Sequence, residues 1–139
     1  MQDRERTSGI PEPRLVEEHD LPNGLKVQFL DCSRRVAGDR WYVALLTRIP
    51  IEVYREDFEG RIDADVLYKE FLDKYGKTIF FEVRKERNFV DERQVEQVFT
   101  TLLERQKEHT LKYMGHKDFA KGFKRRQIDE FEKRRTWWR

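Results

Sequence analysis

The chain has very little of the residues that carry metal or disulfide chemistry. Among its 139 residues are one cysteine, Cys32, and three histidines, His19, His109 and His116. A single cysteine excludes an intramolecular disulfide and favours a reducing compartment. The histidines are too few and too widely spaced to indicate a metal site. We therefore expect no metal centre.

Long apolar runs and phosphate-binding glycine motifs are also absent. No stretch approaches the roughly 18 apolar residues of a membrane span, and the first ten residues are polar where a signal peptide needs an apolar segment. The sequence contains no P-loop, no G-x-G-x-x-G, no G-x-S-x-G and no H-E-x-x-H. These absences predict a cytoplasmic, non-enzymatic protein with no cofactor and no catalytic residue.

Charge is abundant and nearly balanced. The 29 basic and 27 acidic residues leave a net charge of +2, so the whole-chain charge does not favour nucleic-acid binding. The 10 Phe, 5 Tyr and 3 Trp supply bulky core material for one domain. Residues 1–13 combine charges with Ser8, Gly9, Pro11 and Pro13 and have almost no apolar content, which predicts a flexible arm before a single domain at residues 14–139.

The longest apolar alternation runs through residues 40–54. Every second side chain from Trp41 to Val53 is apolar or threonine, which predicts a strand with one face in the core. Pro50 lacks the amide that a central strand uses, so we expect an edge position, a bulge or a break there.

The other patterns complete an α+β fold. Residues 15–19, 25–30 and 78–84 have strand patterns, and Asn23-Gly24 marks a hairpin turn. Helical stripes follow the N-cap candidates Asp63 and Asp91, end at Gly76 and Gly115, and resume near residue 117. We expect an antiparallel sheet of about four strands, in the order β-β-β-α-β-α-α, with the helices packed on one face.

The segment 31–40 is predicted to be a loop with an unusual density of polar groups. Ser33, Arg34, Arg35 and Arg40 are candidates for binding an anion or a small molecule, because guanidinium groups match phosphate and carboxylate oxygens. The alternative is purely structural, with the acids and Ser33 capping a turn and the arginines in surface ion pairs. Cys32 likewise has two interpretations: a reactive thiol whose pKa is lowered by Arg34 and Arg35, or an ordinary loop cysteine.

The sequence resembles segments of two protein families. The Asp31-Cys32-Ser33 triplet resembles the D-x-S part of the cyclic-dinucleotide-binding PilZ motif. Position 36 is Val36 where that motif has glycine, however, and the arm upstream has no R-x-x-x-R. SRRVAGDRWYV and ERNFVDERQVEQVF resemble segments of a small uncharacterised bacterial protein family. That resemblance implies a bacterial cytoplasmic protein and supplies no activity.

The C-terminal segment 117–139 combines basic and aromatic residues. It has nine Lys or Arg against four acids, a net charge of +5, and we expect a basic helix. The aromatic residues Phe123, Phe131, Trp137 and Trp138 are candidates for a partner surface. Packing of these aromatics onto the body, a membrane-surface helix and a nucleic-acid surface are the alternatives.

The leading hypothesis is therefore an interaction module. It binds a protein partner, or a second copy of itself, through the C-terminal helices. Anion or small-molecule binding at residues 31–40 and nucleic-acid binding through the basic C-terminal segment are the alternatives.

Overall fold

The long alternation forms strand β4 (Arg40–Glu52), the central strand of the sheet. In the computed structural model, which describes residues 12–137 and side chains as far as Arg135, the odd-numbered residues of β4 from Val43 to Ile51 are almost completely buried. The predicted strand is confirmed and ends two residues early. Residues 1–11 of the expected arm and Trp138 lie outside the described residues.

Four other strands complete an antiparallel sheet: β1 (Arg14–Asp20), β2 (Lys26–Asp31), β3 (Arg34–Ala37) and β5 (Thr78–Asp91). Both β2 and β3 pair with β4 on the side opposite β5, through the pairs Asp31↔Leu45 and Arg34↔Tyr42. The sheet therefore runs β1, then β2 with β3, then β4, then β5. The α+β prediction is confirmed, with one strand more than expected.

The extra strand arises because much of the predicted loop at residues 31–39 is paired. Residues 34–37 form β3, and a turn at Gly38-Asp39 joins it to β4 as a hairpin. The turn-forming residues of this segment are concentrated at its two ends, whereas the arginines between them lie on a strand. Turn composition alone therefore overestimated the length of the loop.

Pro50 does not break β4. The ladder with β5 continues through Pro50↔Phe80 to Glu52↔Thr78, whereas the ladder with β2 stops at Gln28↔Arg48. Pro50 thus lies where β4 is paired on one side only, a position that tolerates a residue without an amide. Of the three expected alternatives, the local edge position is the one observed.

Strand β5 is twice as long as predicted and reaches Asp91. Its last residues pair with the start of β4 through Trp41↔Val90, and a bulge lies between this pair and Val43↔Arg87. Phe89 occupies the bulge with a φ of 54°, a left-handed conformation that is unfavourable for a bulky residue. The stretch that sequence patterns place before a helix is thus part of the sheet.

Three helices cover one face of the sheet: α1 (Ala64–Tyr75), α2 (Val95–Tyr113) and α3 (Phe119–Trp137). Phe81 of β5 contacts Phe119 and Phe123, with ring centroids 5.0 Å and 5.5 Å away. Phe71 of α1 contacts Phe131 at 5.3 Å. The core is therefore a layer of aromatic rings between the sheet and the helices.

The predicted helix ends are partly correct. Gly76 follows α1 with a φ of 78°, which glycine adopts without strain, as the sequence predicts. Asp63 occupies the N-cap position of α1 without a side-chain capping bond. Asp91 instead caps a short 3₁₀ turn, Glu92–Gln94, by accepting from the Arg93 amide, and α2 starts after it.

The β1–β2 turn holds the end of α2. Asn23 Nδ2 donates to the carbonyls of Met114 and His116, at 3.0 Å and 2.9 Å, and its Oδ1 accepts from the Leu25 amide at 3.1 Å. Gly115 sits so close to the turn that a Cβ there would lie 2.8 Å from Cδ of Pro22. One side chain therefore serves two carbonyls left open at a helix end.

Asn23→Ala should lower the free energy of unfolding by about 1–3 kcal/mol, because it removes the donor to the Met114 carbonyl in a part-buried hydrogen bond and the donor to the exposed His116 carbonyl. Urea unfolding followed by far-UV circular dichroism measures the change. Gln97→Ala, which removes an exposed amide from α2, is the matched control and should stay within about 0.5 kcal/mol. An equally small effect for Asn23→Ala would show that the turn does not hold the helix.

Thr47 is fully buried in the middle of β4, and its Oγ1 has no hydrogen-bond partner among residues 12–137. Thr47→Val removes a desolvated hydroxyl while keeping the shape of the side chain. We expect it to raise the free energy of unfolding by about 1 kcal/mol. Thr101→Val, at an exposed site whose hydroxyl donates to the Gln97 carbonyl, should give no such gain. A loss of stability for Thr47→Val would contradict this reading of the hydroxyl.

Candidate functional site

The acid and the serine of segment 31–40 shape the join between β2 and β3. Asp31 Oδ1 accepts from the Ser33 amide at 2.9 Å, and Ser33 Oγ accepts from the Ala44 amide at 3.0 Å. Arg14 Nη2 lies 3.2 Å from the other Asp31 oxygen. These bonds satisfy backbone amides where the strand pairing is interrupted, which is the structural alternative considered for this segment.

Arg34 and Arg35 lie on opposite faces of the sheet because they are adjacent residues of β3. Arg34 stacks over Tyr42, with its guanidinium carbon 5.3 Å from the ring centroid. Arg35 stacks over Trp41 at 5.4 Å, donates to the Gly38 carbonyl at 2.6 Å and lies 2.8 Å from Glu92. Both cations already have aromatic or polar partners.

Arg40 completes the set of anion-binding candidates. Its guanidinium lies 3.4 Å from Asp91 and 3.9 Å from Asp39. Arg35 and Arg40 are thus paired with acids, while Arg34 and Arg35 point to opposite faces. The structure does not bring Ser33, Arg34, Arg35 and Arg40 together, so the anion site proposed from sequence loses its geometric basis.

Cys32 lies beside Arg84 of β5, and burial raises the pKa of its thiol, with Arg84 opposing the shift. The lowered pKa considered from the sequence has the wrong direction. Tyr42 lies in the same group and donates to Glu86 at 2.6 Å; burial and the Glu86 carboxylate raise the pKa of Tyr42. The group is a packed polar cover on the sheet face that the helices leave open.

The aromatic partner surface predicted for the C-terminal helix is wrong for two of its members. Phe123 and Phe131 are only 7% and 5% exposed and belong to the core. Their spacing places them on the face of α3 that meets Phe81 and Phe71. The Trp137 side chain and all of Trp138 lie outside the described parts of the chain.

Several charges of α3 are tied to the body of the protein. Lys124 lies 3.0 Å from Asp57, and Arg135 forms an ion pair with Glu70. The remaining cations on the helix surface are exposed. They are Lys121, Arg125, Arg126, Lys133 and Arg134. The basic segment is therefore in part a set of ion pairs within the chain.

The sequence patterns missed the outer edge of β5 as a candidate site. Within residues 12–137, β5 pairs only with β4, so one side of a 14-residue strand carries no neighbouring strand. Phe80 and Phe89 along it are 48% and 72% exposed. The available signal was the alternation of Ile79, Phe81 and Val83, together with apolar Phe89-Val90 beyond it.

The open face of the sheet continues this surface. Leu30, Ala44 and Leu46 are buried there although none of the helices in residues 12–137 covers them. Long polar side chains shield them, as Arg48 illustrates: it donates to Gln28 at 3.0 Å and lies over the Phe80 ring at 5.4 Å. The candidate functional surface is therefore the β5 edge with the adjoining open face.

The described residues show neither a membrane-spanning helix nor a metal-binding cluster. None of the helices within residues 12–137 is long and apolar enough to cross a membrane. Nor does that part of the chain hold a cluster of three or more His, Cys, Asp or Glu side chains suited to a metal ion.

Comparison with known proteins gives no match: no family model, no curated protein and no solved structure is similar to this chain at a significant level. The PilZ resemblance also lacks structural support, since β1 and β5 leave the sheet open where a barrel would be closed.

The raised pKa of Cys32 predicts slow reaction with a thiol reagent at neutral pH, because the thiolate is the reacting form. The pH midpoint of the reaction rate should lie above that of the same chain unfolded in urea. Arg84→Met should move it higher still, since Arg84 favours the thiolate. Cys32→Ser, which has no thiol, is the control and should not react. A midpoint in the folded protein below the unfolded value would contradict the assignment.

Proposed function

We propose that this protein is a non-enzymatic interaction module that self-associates through the outer edge of β5. Two copies join these edges in antiparallel fashion, so that their sheets become one. The observation that carries the proposal is an edge strand of 14 residues whose charge pattern complements itself. The helices cover the face of the sheet opposite the open face. In the joined sheet, the helices of both copies would therefore lie on the same side.

An unpaired edge is a ready template for another strand, because its amides and carbonyls have no partners in the sheet. The other edge, β1, has only seven residues and carries an irregularity between Leu15 and Glu17. Edge β5 is twice as long, and its regular pairing with β4 extends without a bulge from Thr78 to Arg87. It therefore offers the longer regular surface for pairing.

The charges on β5 select one register. In an antiparallel pair of identical strands, two residues that lie opposite each other point to the same face of the sheet. The two-fold axis therefore lies between the two copies of one residue, which faces itself across the interface. Each register below is named by that residue. With the axis at Val83, Glu82 of each copy lies opposite Arg84 of the other. Val83 then lies opposite itself, and Phe81 lies beside the aliphatic stem of Lys85. This register places opposite charges together twice.

Neighbouring registers are less favourable. An axis at Glu82 or at Arg84 places that charged residue opposite its own copy, which costs free energy. An axis at Lys85 pairs Arg84 with Glu86 but sets Lys85 against itself. The charges on this edge thus disfavour most registers, and the same property disfavours unrelated strands.

The exposed phenylalanines fit the same register. A pocket of about 280 Å³ opens beside the start of β5, lined by Phe71, Tyr75, Ile79 and Phe80 among others. With the axis at Val83, residue 89 of the second copy lies opposite residue 77, next to this pocket. Phe89 is strained and exposed in one chain, and contact with the pocket would bury its ring.

The compartment we propose for this assembly is the bacterial cytoplasm. Its basis is the single cysteine and the resemblance of SRRVAGDRWYV and ERNFVDERQVEQVF to a bacterial family.

The test is a charge exchange followed by sedimentation equilibrium over a wide range of protein concentration. The natural chain should approach about 34 kDa, twice its monomer mass of 17.1 kDa. Glu82→Arg and Arg84→Glu should each weaken the dimer by about ten-fold or more, because each creates two like-charge pairs. The double variant restores opposite charges and should dimerise again.

The double variant also identifies the register. With the axis at Lys85, residue 82 lies opposite Asn88, so Glu82→Arg would have little effect and the double variant would stay weakened. Phe89→Ala should weaken the dimer too. Ile62→Ala, which removes another exposed apolar side chain away from β5, should not. A natural chain that stays at 17 kDa at every concentration would overturn the proposal.

A further inference from the structure

A small pocket lies near the edge of the sheet opposite β5, between the β1–β2 hairpin and the last turns of α2. Its volume is about 140 Å³. Val27 and Phe29 form its floor, and Leu111 of α2 forms one wall. His19, Lys107 and Thr110 provide polar groups around this apolar base. The pocket is therefore amphipathic, with room for a single small ring.

The size and floor of the pocket favour an apolar body. Val27 and Phe29 are each only 1% exposed, so the surface they present is preformed and rigid. Apolar cavities of about 150 Å³ in proteins accept benzene-sized molecules. Phe29 also contacts the His19 imidazole edge-on, with ring centroids 6.1 Å apart, which fixes one side of the opening.

The buried hydroxyl of Thr110 is a second, independent feature that favours a bound ligand. The residue is 1% exposed, and its Oγ1 has no hydrogen-bond partner within residues 12–137. A buried hydroxyl without a partner costs free energy, which a hydrogen bond to a bound molecule would recover. Because Thr110 lines the pocket, this unused group is available to an occupant there.

Lys107 is the donor available to an anion at the opening, beside the acid Glu17 with which it is already paired. Lys107 Nζ lies 2.9 Å from Glu17 Oε1, and His19 Nε2 lies 2.7 Å from the same oxygen. An ammonium has three donors, so Lys107 retains capacity for a second acceptor. The one acid that lines the pocket, Asp20, is held by Lys26 at 2.7 Å.

We propose that this pocket binds a small monocarboxylic acid with a compact apolar body, of about the size of benzoate. The body lies against Val27 and Phe29, and the carboxylate accepts hydrogen bonds from Lys107 and from the Thr110 hydroxyl. No residue of β5 lines this pocket. The binding proposal is therefore independent of the self-association proposed above.

The test is a titration of the full chain with sodium benzoate, followed by two-dimensional ¹H–¹⁵N NMR. Saturable shifts should centre on the amides of Val27, Phe29 and Thr110. Benzamide, which is neutral and of similar shape, should bind more weakly. Thr110→Val and Lys107→Gln should each weaken benzoate binding by about ten-fold, the loss expected for a hydrogen bond to a charged group.

Lys112→Gln is the matched control, because it removes a cation from the same helix outside the pocket; benzoate binding should not change. Thr110→Val should unfold at the same temperature as the natural chain or higher. Should that variant misfold, the partly exposed Lys107→Gln still decides the outcome. Absence of saturable shifts in the pocket, or binding that both substitutions leave unchanged, would overturn the proposal.

Discussion

The whole structure depends on the burial of β4 between its neighbouring strands and beneath three helices. Its odd-numbered side chains are covered by an aromatic layer in which Phe71 contacts Phe131, and Phe81 contacts Phe123. This one-sided cover uses most of the large apolar residues of the helices. Phe123 and Phe131 of α3 belong to the core, and within residues 12–137 no helix lies over the opposite face or along the β5 edge.

Arginine side chains cover part of the sheet face that lies opposite the helices. Arg34 lies over Tyr42 and Arg48 lies over Phe80. Buried Leu30 and Leu46 lie on the same face, which the described helices leave uncovered. A guanidinium can stack on a ring and keep its donors in water, so it shields apolar surface without becoming buried itself. This explains how a chain with 40% charged residues maintains an ordered sheet.

The features that depend only on residues close together in the sequence could be predicted. The alternation of β4, the turn at Asn23 and the glycine after α1 were all readable, because side-chain periodicity and positive φ leave a direct mark on the sequence. The fold class followed from the order of these elements. The helical pattern that carries Phe123 and Phe131 was also readable, but periodicity does not say whether their face of α3 meets the core or a partner.

The features that could not be predicted depend on contacts between distant residues. Strand β3 and the last third of β5 are extended because they pair with the two sides of β4, not because of their own composition. The neighbour of Cys32 is Arg84, 52 positions away, and not the adjacent arginines, so burial decides the direction of its pKa. The acids that hold α3 likewise come from the segment around Asp57 and from α1.

The central claim is that the free edge of β5 is the working surface of this protein. Hydrogen exchange of individual amides at low and high protein concentration tests it most directly. The account predicts that the outward-facing amides around Val83 exchange more slowly as concentration rises, while those of edge strand β1 do not change. Protection that is independent of concentration in β5, or that appears at β1 instead, would contradict it.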